Sequence, residues 1–210
     1  YNVNEDGLMG MALDPDFEQN DWIYFYYSPV GNDPVNRLSR FTYTTNGLRN
    51  EVVVLEVPVQ RDECCHTGGS IEFGSDGLLY LSTGDNTNPF ASEGFSPSDE
   101  RPGRSAWDAQ RSSSNTNDLR GKILRIRPEP DGSYSIPAGN LFVDDDPKTR
   151  PEIYVMGCRN PYRISIDSRR NWLFWGDVGP DARADVEGRG PRGYDEFNVA
   201  LEPGYFGWPL

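Results

Sequence analysis

Apolar and polar positions alternate along this chain in short runs, with the period of two residues that is typical of β-strands. One arrangement occurs three times: an alternating run, a turn containing Asp or Gly, and then an aromatic-rich run. Each copy predicts a β-hairpin. The three hairpins start at Met11, Ile71 and Ile164, and their second strands start at Trp22, Leu79 and Trp172.

Further strand candidates follow the hairpins, at Arg37–Tyr43, Val52–Val57, Gly121–Arg127 and Ile153–Met156. Two hairpin strands and two following strands make a four-stranded sheet, the blade of a β-propeller. We therefore predict an all-β fold with about three such blades. A β-sandwich would use a similar number of strands, but it does not predict the Gly-Asp pair that ends two of the hairpins, at 84–85 and 176–177.

The spacing of the hairpins indicates inserted segments. The starts at residues 11, 71 and 164 lie further apart than the roughly 40 to 50 residues of a compact blade. The polar stretch 86–119 is longer than an ordinary connection, and we expect a long insertion loop there. Because three blades cannot close a ring, residues 1–210 are expected to be part of a single β-propeller domain that is truncated at both ends.

The charge balance limits the classes of partner. The chain of 210 residues has 33 acidic and 20 basic residues, a net charge of -13. Such a chain repels phosphate backbones and anionic lipid surfaces, so we expect no nucleic-acid partner. No apolar run approaches the roughly 20 residues of a membrane helix, and we expect no membrane insertion. Neutral sugars and cationic partners remain open.

Three cysteines, Cys64, Cys65 and Cys158, cannot all pair within the chain. Adjacent cysteines join only through a strained eight-membered ring. We therefore expect free thiols.

His66 is the only histidine, and it lies within Cys64-Cys65-His66-Thr67-Gly68-Gly69. The ordinary pKa of a histidine, about 6.5, suits it to take a proton from a hydroxyl group. A hydrogen-bonded structural histidine is the alternative interpretation, and this segment alone does not decide between them.

Arg159 and Asn160 follow Gly157-Cys158 at the end of the predicted strand Ile153–Met156. Arginine presents a rigid fork of donors that fits a carboxylate or a quinone oxygen, but a salt bridge between blades would use it equally well. Further along the chain, Asp195 could orient a histidine or merely cap a turn.

Ordered motifs give the chain a resemblance to the soluble PQQ-dependent glucose, sorbosone and aldose sugar dehydrogenases, which are six-bladed β-propellers. His66-Thr-Gly-Gly, the hairpin through Tyr80, and Thr83-Gly-Asp85 resemble the segment that carries the catalytic histidine of that family. More matches follow in the same order from residue 5 to residue 209. They include Glu5–Gly10, Arg120–Arg125, Gly157–Pro161, Gly179-Pro180, Asp195–Asn198 and Tyr205–Pro209.

The resemblance implies a role for each matching residue. His66 would be the general base that removes the hydroxyl proton while hydride passes from the sugar to PQQ, and Asp195 would hold His66 in the productive tautomer. The other implied assignments are cofactor contacts from Arg159 and Asn160, Ca²⁺ held by the carbonyls of Gly179 and Pro180, and substrate contacts from Glu5 and Cys65.

The resemblance also implies partners and a location. An aldose or related polyol would be the substrate, a quinone or cytochrome would accept the electrons, and the protein would work in the periplasm or outside the cell. Cys65 stands where an Asp is common in the family, and the loop 181–193 lengthens the path to Asp195. Much of the family's cofactor clamp comes from later blades. A non-catalytic propeller that binds proteins or carbohydrates within a larger secreted protein is the alternative function.

Overall fold

The strands form three sheets in a computed structural model that describes residues 1–188 and 190–210. The first sheet is antiparallel throughout, with its strands in chain order, and a short helix, α1 (Phe17–Asn20), lies in its first loop. Its strands are β1 (Leu8–Leu13), β2 (Trp22–Tyr27), β3 (Val35–Thr44) and β4 (Gly47–Pro58).

The second sheet is also built on four antiparallel strands, and two short strands extend it. Its strands are β5 (Gly68–Phe73), β6 (Leu79–Thr83), β7 (Lys122–Pro128), the short β8 (Tyr134–Ser135) beside β7, and β9 (Ile153–Met156). The third sheet has three strands, β10 (Pro161–Asp167), β11 (Trp172–Asp177) and β12 (Glu196–Ala200). After it, β13 (Gly204–Tyr205) returns to the second sheet and pairs with β9 in parallel.

The three predicted hairpins are β1–β2, β5–β6 and β10–β11, and each is antiparallel as expected. Gly77 in the tight turn of the second hairpin has a φ of 74°, the left-handed conformation that made glycine the expected residue there. The strand predicted at Ile153–Met156 has those bounds in the structure.

Two hydrophobic clusters hold the sheets face to face. Alternate residues of the second sheet belong to different clusters, because successive side chains of a strand point to opposite faces. Leu81 and Leu124 pack with residues of the first sheet such as Tyr24, whereas Tyr80 packs with Trp175 of the third. Successive sheets stacked in this way confirm the predicted propeller arrangement of about three blades.

The segment 86–119 contains two short 3-10 helices, Ser105–Trp107 and Ala109–Arg111. Within it, the buried carboxylate of Asp99 accepts hydrogen bonds from Ser92, Arg101 and Arg104. None of the helices in the described part of the chain has the length and apolarity that a membrane crossing requires.

Lys122, at the start of β7, has a fully buried side chain. Its ammonium group donates to the carbonyl oxygens of Ser112, Ser113 and Arg120 at 2.6, 3.0 and 2.7 Å. Three donors meet three acceptors, so this lysine fastens the end of the 86–119 segment to the second sheet.

Candidate active site

His66 lies in the turn that leads into β5 and is only 4% exposed. Its backbone has a φ of 56°, in the left-handed region. The ring atom Nδ1 lies 2.7 Å from Oδ1 of Asp85. Because an ionised carboxylate only accepts hydrogen bonds, Nδ1 carries a proton, so the lone pair of the neutral imidazole lies on Nε2. This tautomer is the one that a general base requires.

Asp85 follows β6 and is completely buried. Oδ1 also accepts hydrogen bonds from the backbone N–H and the hydroxyl of Thr87, and Oδ2 accepts one from the indole N–H of Trp208 at 2.8 Å. Burial by itself raises the pKa of this carboxyl, but the charge and hydrogen bond of His66, with the bonds from Trp208 and Thr87, outweigh burial and hold the pKa below its ordinary value. Asp85 is therefore ionised beside the imidazole.

The predicted contact between Asp195 and His66 is not what the structure shows. Asp195 instead accepts a hydrogen bond from the backbone N–H of Gly179 at 3.0 Å, and it is exposed. Asp85 comes 19 residues after the histidine, at the end of the hairpin that begins there, so antiparallel pairing of β5 with β6 brings the two together. The longer loop before Asp195 offers no comparable constraint.

Sequence reasoning thus missed Asp85 as the partner of the histidine and Trp208 as a donor to Asp85. A signal for Asp85 was available, because Gly-Asp recurs at the ends of two hairpins, at 84–85 and 176–177. Asp177 occupies the corresponding end of β11, where its two oxygens accept the backbone N–H groups of Asn160 and Arg159 at 2.6 and 3.2 Å.

Arg159 and Asn160 both lie at this site and are buried. The Asn160 side-chain oxygen accepts the N–H of Gly68, two residues after the histidine, at 3.0 Å. The guanidinium of Arg159 donates to the carbonyl of Val178 and, at 2.7 Å, to the carboxylate of Asp181. Asp181 is half-exposed, so the ion pair is open to water on one side.

Gly179 and Pro180 line a neighbouring cavity of about 160 Å³, together with Arg159, Asp177 and Glu196. A Cβ on Gly179 would overlap the backbone carbonyl of Tyr194, so close packing alone requires glycine there. The residues that line the cavity include the carboxylates of Asp177 and Glu196 and the guanidinium of Arg159.

Negative charge accumulates on this wall. Burial raises the pKa of Asp177 to about 6, and repulsion from Asp85 and Glu196 adds to the effect in spite of the backbone hydrogen bonds that the carboxylate accepts. Oxygen ligands and surplus negative charge are the conditions that a hard cation such as Ca²⁺ favours.

Glu5 contacts Thr67, the residue that follows the histidine. Its carboxylate accepts the backbone N–H of Thr67 at 3.1 Å, and its backbone carbonyl accepts the Thr67 hydroxyl at 3.2 Å.

Cys65 immediately precedes His66 and forms a disulfide with Cys64, so the expectation of free thiols is wrong for this pair. The peptide bond between the two cysteines is cis, which is why their Cα atoms lie only 3.3 Å apart. Cys158 is a free, buried cysteine.

The family model named Glucose / Sorbosone dehydrogenase matches residues 1–210. The chain belongs to the glucose/sorbosone dehydrogenase family. This confirms the resemblance that the ordered motifs indicate.

Two curated relatives show the range of proteins that resemble this family member. An aldose sugar dehydrogenase of Escherichia coli is 28% identical over 211 residues, which are 97% of this chain and 46% of the relative. The human Hedgehog-interacting protein is 26% identical over 179 residues, which are 78% of this chain and 23% of that protein. The chain thus spans less than half of the length of either relative.

A solved structure agrees with the fold. The PQQ-bound aldose sugar dehydrogenase of Streptomyces coelicolor is 28% identical, with a TM-score of 0.69. The match covers 100% of this chain and 50% of that structure.

Proposed function

We propose that this family member forms part of a PQQ- and Ca²⁺-dependent dehydrogenase that oxidises an aldose or a related polyol. The observation that carries the proposal is the buried pair of His66 and Asp85, in which the carboxylate binds Nδ1 and the neutral imidazole has its lone pair on Nε2. His66 then takes the proton of the substrate hydroxyl, and Asp85 stabilises the imidazolium that forms. Such a base contributes on the order of 10² to 10⁴-fold in rate.

The described residues fit part of a cofactor site. When bound, PQQ would accept the two electrons of the oxidation while Ca²⁺ polarised its quinone. The carbonyls of Gly179 and Pro180 would hold the cation, in keeping with the acidic wall of their cavity. Arg159 and Asn160 would contact PQQ, and a PQQ carboxylate at Arg159 would displace the half-exposed Asp181.

Glu5 and Cys65 would contact the substrate, because Cys65 is the residue before His66 and Glu5 bonds to Thr67, the residue after it. The electron acceptor would be a quinone or a cytochrome, and the location would be periplasmic or extracellular. These assignments rest on the resemblance of the chain to its family.

The test is reconstitution of the full-length apoprotein with PQQ and Ca²⁺, followed by dye reduction with a panel of aldoses. We expect dye reduction, and we expect His66→Ala to abolish it while PQQ absorbance is retained on the protein. The absence of both dye reduction and retained PQQ absorbance would contradict the proposed enzyme.

A second candidate function is a non-catalytic propeller that binds proteins or carbohydrates. The similarity to the Hedgehog-interacting protein, whose name describes a binding role, favours it. The same reconstitution separates the two functions, since a binding module would retain no PQQ.

A further inference from the structure

The Cys64–Cys65 disulfide adjoins the proposed base, because Cys65 is bonded directly to the backbone nitrogen of His66. Both cysteines are half-buried, so a small reagent can reach them. The disulfide closes an eight-membered ring around the peptide bond between the two residues. This ring restricts the backbone rotations of the segment that leads into the histidine.

Hydrogen bonds fasten the chain on both sides of this ring. Before it, the side chain of Gln60 donates to the carbonyl of Asn86, and Asn88 donates to the carboxylate of Glu63 at 2.6 Å. After it, the backbone N–H of Asn86 donates to the carbonyl of His66 at 3.1 Å. The two cysteines thus form the only stretch between Glu63 and His66, and the disulfide is the constraint within that stretch.

The fastened segment matters because it sets where the imidazole lies. Residues 85–88 hold both the carboxylate that orients the ring and the backbone that anchors residues 60–66. A shift of the turn would therefore move His66 relative to Asp85. General-base catalysis is sensitive to such shifts, since a displacement of about 1 Å can cost on the order of 10²-fold in rate.

We propose that the Cys64–Cys65 disulfide positions His66 against Asp85, and that its reduction releases the imidazole from that position. The reductant is a dithiol: one thiolate attacks a cysteine sulfur and breaks the S–S bond, and its second thiol then closes a disulfide within the reagent. Two electrons and two protons pass to the protein, which gains two thiols. The catalytic part of this proposal rests on the function proposed above.

The first measurement needs no cofactor. His66 is the only histidine within residues 1–210, and in full-length protein labelled with ¹⁵N-histidine its ring signals are the ones that a His66→Gln variant lacks. In the oxidised protein we expect a single tautomer with the proton on Nδ1. After dithiothreitol we expect a mixture of tautomers, and reoxidation should restore the single one.

The second measurement is steady-state kinetics of the full-length protein reconstituted with PQQ and Ca²⁺. Reduction should lower kcat by roughly 10-fold or more and change KM by less than about 3-fold, because base positioning acts on the transition state. The control is the Cys64→Ser/Cys65→Ser variant, which should resemble the reduced protein and ignore dithiothreitol. Since this variant keeps Cys158, effects of the reagent on that thiol are accounted for.

Each result has one meaning. Unchanged ring signals after complete reduction, verified by alkylation of both Cys64 and Cys65, would overturn the proposal. So would a rise in KM alone with unchanged ring signals, which would leave Cys65 only the substrate contact proposed above and no role in positioning His66. Ring signals that shift in a protein without dehydrogenase activity would uphold the positioning and refute the proposed function instead.

Discussion

Trp208 donates its indole N–H to Asp85 across 123 residues of sequence, at 2.8 Å. The tryptophan follows β13, and its own backbone N–H donates to the carbonyl of Gly157. The parallel pairing of β13 with β9 therefore brings the end of the chain back to the candidate active site. The carboxylate that orients the histidine is therefore held both by nearby Thr87 and by Trp208, which is distant in sequence.

Trp208→Phe should destabilise the protein without changing its fold. The substitution removes the donor to a buried charged oxygen, and an unsatisfied group of this kind costs about 1–3 kcal/mol. Urea unfolding would show a lower midpoint with an unchanged slope. Trp172→Phe, at a half-buried position in the third sheet, is the control and should lose less stability. Equal losses would mean that the bond to Asp85 contributes nothing specific.

Asp85→Asn tests which acid orients the histidine. An amide can donate to Nδ1, which stabilises the tautomer with its proton on Nε2 and removes the lone pair that a base needs. In the reconstituted enzyme we expect kcat to fall by roughly 10² to 10⁴-fold. Asp195→Asn should lose less than about 10-fold, because Asp195 bonds to Gly179 and not to the ring. The reverse ranking would restore Asp195 as the partner.

Gly84→Ala should damage the site through its backbone. A Cβ at residue 84 would overlap the carbonyl of His66, and neither backbone segment can yield without moving the histidine. We expect a lower kcat together with an altered ¹⁵N spectrum of the ring. Gly31→Ala is the matched control, since a Cβ there meets nothing within 4 Å. An active Gly84→Ala enzyme would show that the turn tolerates displacement.

Lys122→Met should change how stability depends on pH. Burial lowers the pKa of Lys122 from 10.5 to about 7, so between these values the unfolded chain binds more protons than the native protein. Stability then rises with pH, and the contribution of this group increases by about 2 kcal/mol between pH 7 and pH 9. The unfolding free energies of wild type and variant, measured at both pH values, should diverge by that amount. A constant difference would contradict the shifted pKa.

The fold was largely predictable because its signals are local. Alternation and turn chemistry placed β9 at its observed bounds and placed Gly77 in its turn. By contrast, β13 has only two residues, and its parallel pairing with β9 depends on contacts distant in sequence. No periodicity can develop over such a length.

The sequence pointed to several residues that the structure places close together, but it did not identify the hydrogen-bond partner of the histidine. Motif order brought out His66, Arg159 and Asn160, and all three lie just before the starts of β5 and β10, where hydrogen bonds join the two segments to each other and to Asp85. The sequence offered several acids as partners for the histidine, and only the geometry of the β5–β6 hairpin selects Asp85. The disulfide between Cys64 and Cys65 was likewise decided by the local turn.

The bond from Gly68 N–H to the side chain of Asn160 joins the start of β5, in the second sheet, to the segment before the third sheet. The candidate active site therefore forms only when the second and third sheets pack together. A chain whose sheets have formed but have not docked would carry every candidate residue and no working centre. Under mild denaturant, activity should therefore vanish before the strands themselves melt.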